Sequence, residues 1–324
     1  MTSTDTRAIP DHLDALFVGG TWVAPAGSDI RWHIGGVAPD DLRDADVFVG
    51  SRFTADMARA ADKLRLIHVA GAGTDKIDFA SLRPDVLVAN TFHHERSIAE
   101  YVVASAVMLR RGFLIQDRKL RDNVWATSVY DSTIAQSPTL GDAHVGFVGF
   151  GHIGLRSWNL LRAFGCTAAA VTGSGRVSPD VGLRWTGDTG ELDRLMRECD
   201  VVVLSAPLNS HTEGMIGAAQ LTELGPEGVL INVGRGPLVQ ERALYDALAN
   251  RVIKGAAVDV WYRYPASGSD CAPSELPFAE LPNLLMTPHS SGVTRDTFAG
   301  RADDVAGNIS RLQRGEPLRN LVPR

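Results

Sequence analysis

The chain has 324 residues, of which 44% are hydrophobic and 22% are charged, and this composition is typical of a globular protein. Single hydrophobic cores stop growing at about 250 to 300 residues, so we expect two domains. The formal net charge of −6 is small, and the basic residues are scattered along the chain. These features argue against nucleic acid or an anionic membrane surface as a partner.

The cysteines and the first residues bear on the compartment. Cys166, Cys199 and Cys271 lie far apart without a C-x-x-C spacing, which argues against a disulfide framework and against a zinc site. The N-terminal segment lacks a basic stretch followed by an apolar run, and no segment reaches the roughly 18 apolar residues that span a bilayer. We therefore expect a cytoplasmic protein without a metal site or a membrane partner.

The first third of the chain alternates between short apolar runs and helical stretches. The runs are DALFVGG at 14–20, ADVFVG at 45–50, LRLIHVA at 64–70 and DVLVAN at 85–90. This alternation predicts a small parallel sheet. From Ser97 onward, apolar residues such as Ile98 and Val102 recur at helical spacing, which predicts one or two helices.

A second alternation begins near residue 144 and has longer apolar runs. After a first strand in HVGFVGFGHIG, these runs occur at 166–172, 199–207, 228–236 and 254–262. Continuous apolar runs are typical of parallel strands covered on both faces, so the predicted fold is α/β with a doubly wound parallel sheet.

The last residues again show a helical pattern, from about 294 to 314, whereas 266–277 is predicted to be an irregular loop. We expect the final helix to return to the first domain. The predicted first domain is therefore discontinuous, with residues 1–112 and 293–324, and residues 113–292 form an inserted domain.

The turn after the first strand of the inserted domain is rich in glycine. Gly149, Gly151 and Gly154 form G-x-G-x-x-G directly after the predicted strand Val145–Val148 and directly before a helical stretch. The first glycine permits a tight turn, the second lets the backbone approach a pyrophosphate, and the third lets helix and strand pack closely. This context predicts a dinucleotide site in a Rossmann domain.

The end of the next predicted strand bears on the choice of cofactor. An NAD enzyme usually carries Asp or Glu there to bind the ribose hydroxyls. Here the strand runs into Thr172, Ser174 and Arg176, and the first carboxylate is Asp180. Two hydroxyls and a guanidinium suit a 2′-phosphate, so NADP is the predicted cofactor. NAD is the alternative if the glycine-rich turn admits both.

Three later strands end in polar residues that suit catalysis. INVGRG carries Arg235, AAVDVW carries Asp259 and MTPHSSG carries His289, each at the carboxyl end of a strand, where ligands bind in open α/β sheets. Together with VAGAGTDKID at 69–78 and SIAEY at 97–101, these motifs resemble the D-isomer-specific 2-hydroxyacid dehydrogenases over most of the chain.

The resemblance implies both an architecture and an activity. The architecture is a Rossmann domain inserted into a smaller, flavodoxin-like α/β substrate domain, assembled as a homodimer. The activity is hydride transfer between NAD(P)H and a small anionic 2-oxo acid or 2-hydroxy acid, in the direction of reduction.

The resemblance also implies roles for single residues. Arg235 is expected to bind the substrate carboxylate and polarise the 2-oxo group, since a guanidinium is a bidentate, permanently charged donor. His289 is expected to be the acid/base, because its pKa lies near neutrality, and Asp259 to lie near the nicotinamide carboxamide. The amides of the loop Ala70, Gly71, Ala72 and Gly73 are expected to bind the carboxylate. Further cofactor contacts are implied for His152, Ile153, Ala206, Pro207, Thr212, Val233 and Gly292.

One position departs from the family pattern. Five residues after Asp259, most members carry a glutamate that pairs with the catalytic histidine, and this chain has Tyr264. A phenol can orient an imidazole but adds no negative charge, so it does not raise the histidine pKa. We predict that Tyr264 hydrogen-bonds to His289, with Asp270 or Glu275 of the following loop as alternative partners.

Two other functions match parts of the sequence. The NAD-dependent formate dehydrogenase branch also reads DVW and has a neutral glutamine in place of the family glutamate, but the segment 70–75 lacks the amide side chain of that branch. A nucleotide sensor without catalysis is the second alternative. The presence of both Arg235 and His289 argues against it.

The segment that follows the fourth strand is unusually polar for a border of a substrate cleft. It contains His93, His94 and Arg96 within TFHHERS at 91–97. We predict that one of these side chains, His93 foremost, contacts an additional anionic group on the substrate. The alternative is that they are solvated loop residues.

Overall fold

The structure is a computed structural model that describes residues 32–34, 42–265 and 269–323, the first three by their backbone alone. The strand predicted at 14–20 lies outside the described residues. The chain divides into two compact units, one that ends at His94 and resumes at Val293, and one that comprises Glu95–Gly292. The sequence-based division after residue 112 lies beyond the helix that opens the second unit.

The helices and strands are labelled here in chain order. The first unit begins with β1 Trp32–Ile34, β2 Val47–Val49, α1 Ala55–Ala60, β3 Leu66–His68 and β4 Leu87–Ala89. The second unit contains α2 Glu95–Arg110, α3 Phe113–Arg121, β5 His144–Val148, α4 His152–Leu161, β6 Thr167–Val171, β7 Trp185–Gly187, α5 Leu192–Glu198, β8 Val201–Leu204, α6 Ala218–Leu224, β9 Val229–Asn232, α7 Glu241–Ala249, β10 Gly255–Val258 and β11 Leu284–Met286. The chain returns to the first unit with α8 Arg295–Arg314.

The sheet of the first unit has the order β1-β2-β3-β4, and all its strands are parallel. Alternate residues of the strands point to opposite faces, and both faces are buried. On one face Val49 and Leu66 pack with Val305 and Ile309 of α8. A separate apolar cluster that includes Phe48 covers the other face. The last helix therefore returns to this unit and covers one face of its sheet.

The C-terminal segment pairs with the edge of this sheet. Leu321 forms an antiparallel bridge with Ala89, and the Val322 amide donates to the Val88 carbonyl at 2.8 Å. The segment thereby occupies hydrogen-bonding positions that an edge strand would otherwise expose.

The second unit contains a seven-stranded parallel sheet of order β11-β10-β9-β8-β5-β6-β7. Strands β8, β9 and β10 are buried along their whole length, because separate apolar clusters cover the two faces of the sheet. The predicted α/β fold with a doubly wound Rossmann sheet is confirmed. Among the residues that the structure describes, no helix combines the length and the apolar character needed to cross a membrane.

Candidate active site

The glycine-rich turn between β5 and α4 depends on its first glycine. Gly149 has a φ of +86°, and its amide donates to the Val171 carbonyl at 2.8 Å. A Cβ at this position would lie 2.6 Å from the Ala206 amide nitrogen, so a side chain there would displace the residues that follow β8. At Gly154, a Cβ would lie 3.1 Å from the Gly149 carbonyl oxygen. Close packing therefore accounts for both glycines.

The second glycine faces open space instead. Gly151 precedes the first turn of α4, and nothing lies within 4 Å of the position that its Cβ would take. The first amides of a helix lack partners within the helix, and its N-terminus carries a partial positive charge. This cradle fits the pyrophosphate of a dinucleotide, and a side chain at position 151 would fill it.

The loop that follows β8, from Ser205 to Thr212, lies beside this turn, because Ala206 packs against Gly149. The loop is shaped by Thr212, whose hydroxyl donates to the Pro207 carbonyl at 2.7 Å and accepts from the Asn209 amide at 2.9 Å. The Thr212 hydroxyl therefore closes its own loop. A contact between Thr212 and the cofactor stays a prediction.

The turn after β6 presents two hydroxyls and one guanidinium. The Thr172 amide donates to the Gly187 carbonyl at 3.0 Å, and the Gly175 amide donates to the Thr172 carbonyl at 3.2 Å. Ser174 Oγ lies 3.5 Å from Thr172 Oγ1 and accepts from the Arg176 amide at 3.3 Å. Arg176 is exposed and makes no ion pair within the described part of the chain. Its charge is available to an anion at the end of β6.

Arg235 follows β9 in a turn that the last residue of the strand builds. The buried Asn232 side chain accepts from the Gly234 amide at 3.1 Å and donates to the Arg235 carbonyl at 3.0 Å. The Val233 amide donates to the Leu204 carbonyl at 3.1 Å, which ties the same turn to β8. One guanidinium nitrogen of Arg235 donates to the Gly234 carbonyl at 2.9 Å, so the turn also sets the direction of the side chain.

His289 lies in the turn after β11 and has a left-handed φ of +57°. Asp259, buried at the end of β10, accepts from the Ser290 and Ser291 amides at 2.9 and 3.1 Å and from the Ser291 hydroxyl. The Thr287 hydroxyl donates to the same carboxylate at 2.6 Å. Both flanks of His289 are thus bound to one side chain, which offsets the cost of a left-handed backbone at this residue.

The ring of Tyr264 packs against His289. The two ring centroids lie 5.7 Å apart at an interplanar angle of 55°, and the Tyr264 hydroxyl accepts from the Trp261 amide at 3.0 Å. Glu275, one of the alternative partners, pairs with Arg263 at 3.1 Å. Tyr264 therefore contacts the imidazole through its ring. A hydrogen bond between the Tyr264 hydroxyl and His289 stays a prediction.

In the first unit, the loop 70–73 follows β3 and is held from β4. The Asn90 side chain donates to the Ala72 carbonyl at 2.9 Å, and the Thr91 amide donates to the Gly71 carbonyl at 3.1 Å. Nothing lies within 4 Å of the position that a Cβ would take at Gly71. The backbone at Gly71 is therefore open to the approach of a small anion.

His93 packs onto α8 of the same unit. Its φ is +64°, and its Nε2 lies 2.9 Å from the Asp304 carboxylate, which also accepts from the Thr91 hydroxyl at 2.6 Å. The ring lies over Gly300, where a Cβ would overlap it. The charge of Asp304 offsets that of a protonated His93. The contact predicted between His93 and a second anionic group stays a prediction, and this pairing does not favour it.

Comparison with known proteins extends these observations. Residues 103–291, more than half of the chain, match the family model described as D-isomer specific 2-hydroxyacid dehydrogenase, NAD binding domain. The chain belongs to this family. Among curated relatives, D-3-phosphoglycerate dehydrogenase of Escherichia coli is 32% identical over 292 residues, which are 87% of this chain and 68% of that protein.

Two solved structures illustrate the likeness of the fold. D-lactate dehydrogenase with NAD+ from Lactobacillus jensenii has a TM-score of 0.74 at 27% identity, and the match covers 88% of each chain. A probable 2-hydroxyacid dehydrogenase from Rhizobium etli, in complex with NADP, has a TM-score of 0.72 at 26% identity, covering 87% of this chain and 86% of that chain.

As a 2-hydroxyacid dehydrogenase, the chain is an oxidoreductase that transfers hydride between NAD(P)H and a 2-oxo acid or 2-hydroxy acid. This class of activity and the family resemblance are both as the sequence predicts. Residues that the sequence analysis does not single out also shape the site of this dehydrogenase. Asn232 and Thr287 hold the turns of Arg235 and His289, and their places inside INVGRG and TPHSSG are the signal that marks them.

Proposed function

We propose that this protein is an NADP-preferring reductase of a small 2-oxo acid. The observation that carries the proposal is that three features follow strands of one parallel sheet: the open turn at Gly151, the guanidinium of Arg235 and the imidazole of His289. The carboxyl ends of parallel strands meet at one edge of a sheet, which is where ligands bind in open α/β folds.

Each residue then has a separate task. When bound, the reduced nicotinamide supplies the hydride that adds to the 2-oxo carbon. Arg235 binds the carboxylate of the substrate and stabilises the negative charge that develops on the 2-oxo oxygen. His289 donates a proton to that oxygen and removes it in the reverse reaction. To the open backbone at Gly71 we assign the binding of a carboxylate by loop amides.

The activity is tested by a spectrophotometric screen of about twenty 2-oxo acids, with formate in the oxidative direction, on wild type, Arg235→Ala and His289→Ala. Both variants are expected to lose on the order of 10²-fold or more in kcat/KM, because each loses a group that acts on the reacting atoms. Fluorescence titration should show that both still bind the reduced cofactor.

Arg162→Ala is the matched control. Arg162 is exposed and follows the last residue of α4, at the opposite end of that helix from Gly151. It should keep wild-type turnover. If His289→Ala keeps more than about a tenth of wild-type kcat, another group donates the proton. Tight cofactor binding without turnover on any acid would instead support a nucleotide sensor.

The preference for NADP is supported by the turn after β6, where Thr172, Ser174 and Arg176 stand in place of a ribose-binding carboxylate. Wild type is expected to use NADPH at least as well as NADH. Arg176→Ala should lower kcat/KM for NADPH by about tenfold and leave NADH nearly unaffected, because only the 2′-phosphate meets the guanidinium. A wild-type preference for NADH above about tenfold that this variant leaves unchanged would contradict the proposal.

We also propose a cytoplasmic homodimer. The cytoplasmic location is supported by Cys166, Cys199 and Cys271, which are all free thiols, as is usual in reducing compartments. Imaging of a fluorescent fusion in the source cell tests the location, and a signal confined to another compartment would refute it. The dimer is supported by the exposed apolar stretch 120–130, which begins at the end of helix α3.

A further inference from the structure

Besides Asp259, a residue of helix α2 forms a hydrogen bond to the turn that carries His289. The Tyr101 hydroxyl lies 3.1 Å from Thr287 Oγ1, which in turn donates to Asp259 at 2.6 Å. We propose that Tyr101 is a positioning residue for His289 and acts through Thr287 and Asp259. The inference rests on the proposed role of His289 as the proton donor.

Thr287 is the link in this chain, and each of its polar groups is bound. Its amide donates to the Val258 carbonyl at 3.1 Å, and its carbonyl accepts from the Trp261 indole at 2.9 Å. A threonine hydroxyl has one hydrogen, which the Asp259 carboxylate takes, so Tyr101 is the donor in its contact with Thr287. The direction of donation is therefore from Tyr101 to Thr287 and from Thr287 to Asp259.

Tyr101 has the fixed position that a tether needs. Its neighbours on α2, Ile98 and Val102, are buried in the apolar cluster that packs on the sheet of the second unit. Burial also raises the pKa of the Tyr101 phenol, which therefore keeps its proton at neutral and mildly alkaline pH. The phenol is thus a permanent donor held by a helix.

The turn requires such support because His289 has a left-handed backbone. Residues other than glycine adopt this conformation at a cost, and the surrounding bonds must offset it. Without the hydrogen bond from Tyr101, the Thr287 hydroxyl keeps its hydrogen bond to Asp259. That remaining hydrogen bond weakens, because hydrogen bonds in a chain strengthen one another. The imidazole then spends less time in the orientation that proton transfer requires, which lowers turnover.

The first test compares Tyr101→Phe with Tyr262→Phe. Tyr262 is a matched control, since it is also a half-buried tyrosine of the second unit, and its hydroxyl donates to the Val239 carbonyl at 3.1 Å. Tyr101→Phe should lower kcat for reduction by about 5- to 10-fold, with the substrate KM and the cofactor Kd within about twofold of wild type. Tyr262→Phe should lose a similar amount of Tm and keep its kcat.

A double-mutant cycle separates a tether from a general effect on packing. Thr287→Val removes the link from its other end, so Tyr101→Phe should cost no further kcat in that background. Thr287→Ser keeps the hydroxyl and should recover most of the kcat that Thr287→Val loses. Losses that multiply in the double variant, or an unaltered kcat in Tyr101→Phe, would overturn the inference.

The two proposals fail in distinguishable ways. If His289→Ala stays active, the proposed function fails together with this inference. If His289→Ala is inactive while Tyr101→Phe is fully active, the proposed function stands and only the positioning role of Tyr101 is refuted.

Discussion

Tyr264 stands where the family pattern has a glutamate beside the catalytic histidine. Its ring contacts His289, and its hydroxyl accepts the Trp261 amide. The family glutamate would add a negative charge that stabilises the imidazolium, whereas a phenol can only restrict the ring. Glu275 of the following loop pairs with Arg263 at 3.1 Å. Proton donation by His289 should therefore weaken at a lower pH here than in glutamate-bearing relatives.

Substitution of Tyr264 tests this difference. Reduction needs the protonated imidazole, so kcat/KM should fall as the pH rises, and at a lower pH than in relatives that carry the glutamate. Tyr264→Glu should move this decline to higher pH, because a carboxylate favours the charged imidazole. Tyr264→Phe should lower kcat without moving the decline, since it keeps the ring and changes no charge. The pH profiles of reductive kcat/KM decide, and a wild-type decline well above pH 8 would show that another group supplies a negative charge.

A buried histidine, His68, connects three elements of the first unit. His68, at the end of β3, places Nε2 at 3.0 Å from the Asn308 amide nitrogen of α8 and Nδ1 at 3.3 Å from the Val69 carbonyl. Asn308 also binds the backbone of Arg319 on both sides, at 2.9 and 2.8 Å. One neutral imidazole therefore connects the strand, the last helix and the C-terminal segment.

This arrangement makes the first unit sensitive to acid. Burial lowers the pKa of His68 to about 4, because a charged imidazole is costly away from water. In the unfolded chain, the imidazole of His68 binds a proton below about pH 6.5. The stabilisation that the neutral His68 gives the folded protein is therefore complete above that pH. It is lost as the pH falls from about 6.5 towards 4, at up to about 1.4 kcal/mol per pH unit.

Denaturant unfolding of wild type and His68→Asn at about pH 7.5 and pH 5 measures this effect. The variant should be less stable at the higher pH, because it loses the contact with Asn308, and it should lose less stability on acidification. The exposed His211 provides the control, since His211→Asn should keep the wild-type pH dependence. Equal losses in wild type and His68→Asn would show that other groups cause the acid sensitivity.

The stretch 120–130 exposes several large apolar side chains. It begins at the end of α3 and includes Leu120, Val124, Trp125, Val129 and Tyr130, with exposed fractions between 48% and 78%. Contiguous apolar patches on a soluble protein mark interaction surfaces. A second copy of the chain, packed through the dinucleotide-binding unit, is the proposed occupant.

Light scattering during size-exclusion chromatography should therefore give the mass of a dimer. Replacing both Trp125 and Val129 by Glu should shift the protein towards the monomer, because charges are costly at the centre of an apolar interface. Exchange of the exposed Arg162 for Glu is the control and should leave the mass unchanged. A wild-type monomer at concentrations above about 100 μM would refute the homodimer.

Features that depend only on neighbouring residues follow from the amino-acid sequence alone. The glycine pattern after an apolar run specifies a turn and a helix start, since φ above zero and close packing are requirements of single positions. Uninterrupted apolar runs likewise specify parallel strands with both faces covered. Arg235 and His289 are polar residues at the ends of such runs, and this position marks them as candidate site residues.

Which distant residues contact one another depends on how the helices and strands pack. Asp259 and Thr287 are 28 positions apart and bind each other because β10 and β11 pair in parallel, and His93 meets Asp304 across 211 positions because α8 returns to the first sheet. Tyr101 of helix α2 contacts Thr287, which follows β11, across 186 positions. No local pattern records such contacts, because hydrogen bonds of this kind depend on where whole elements pack rather than on the residues beside them.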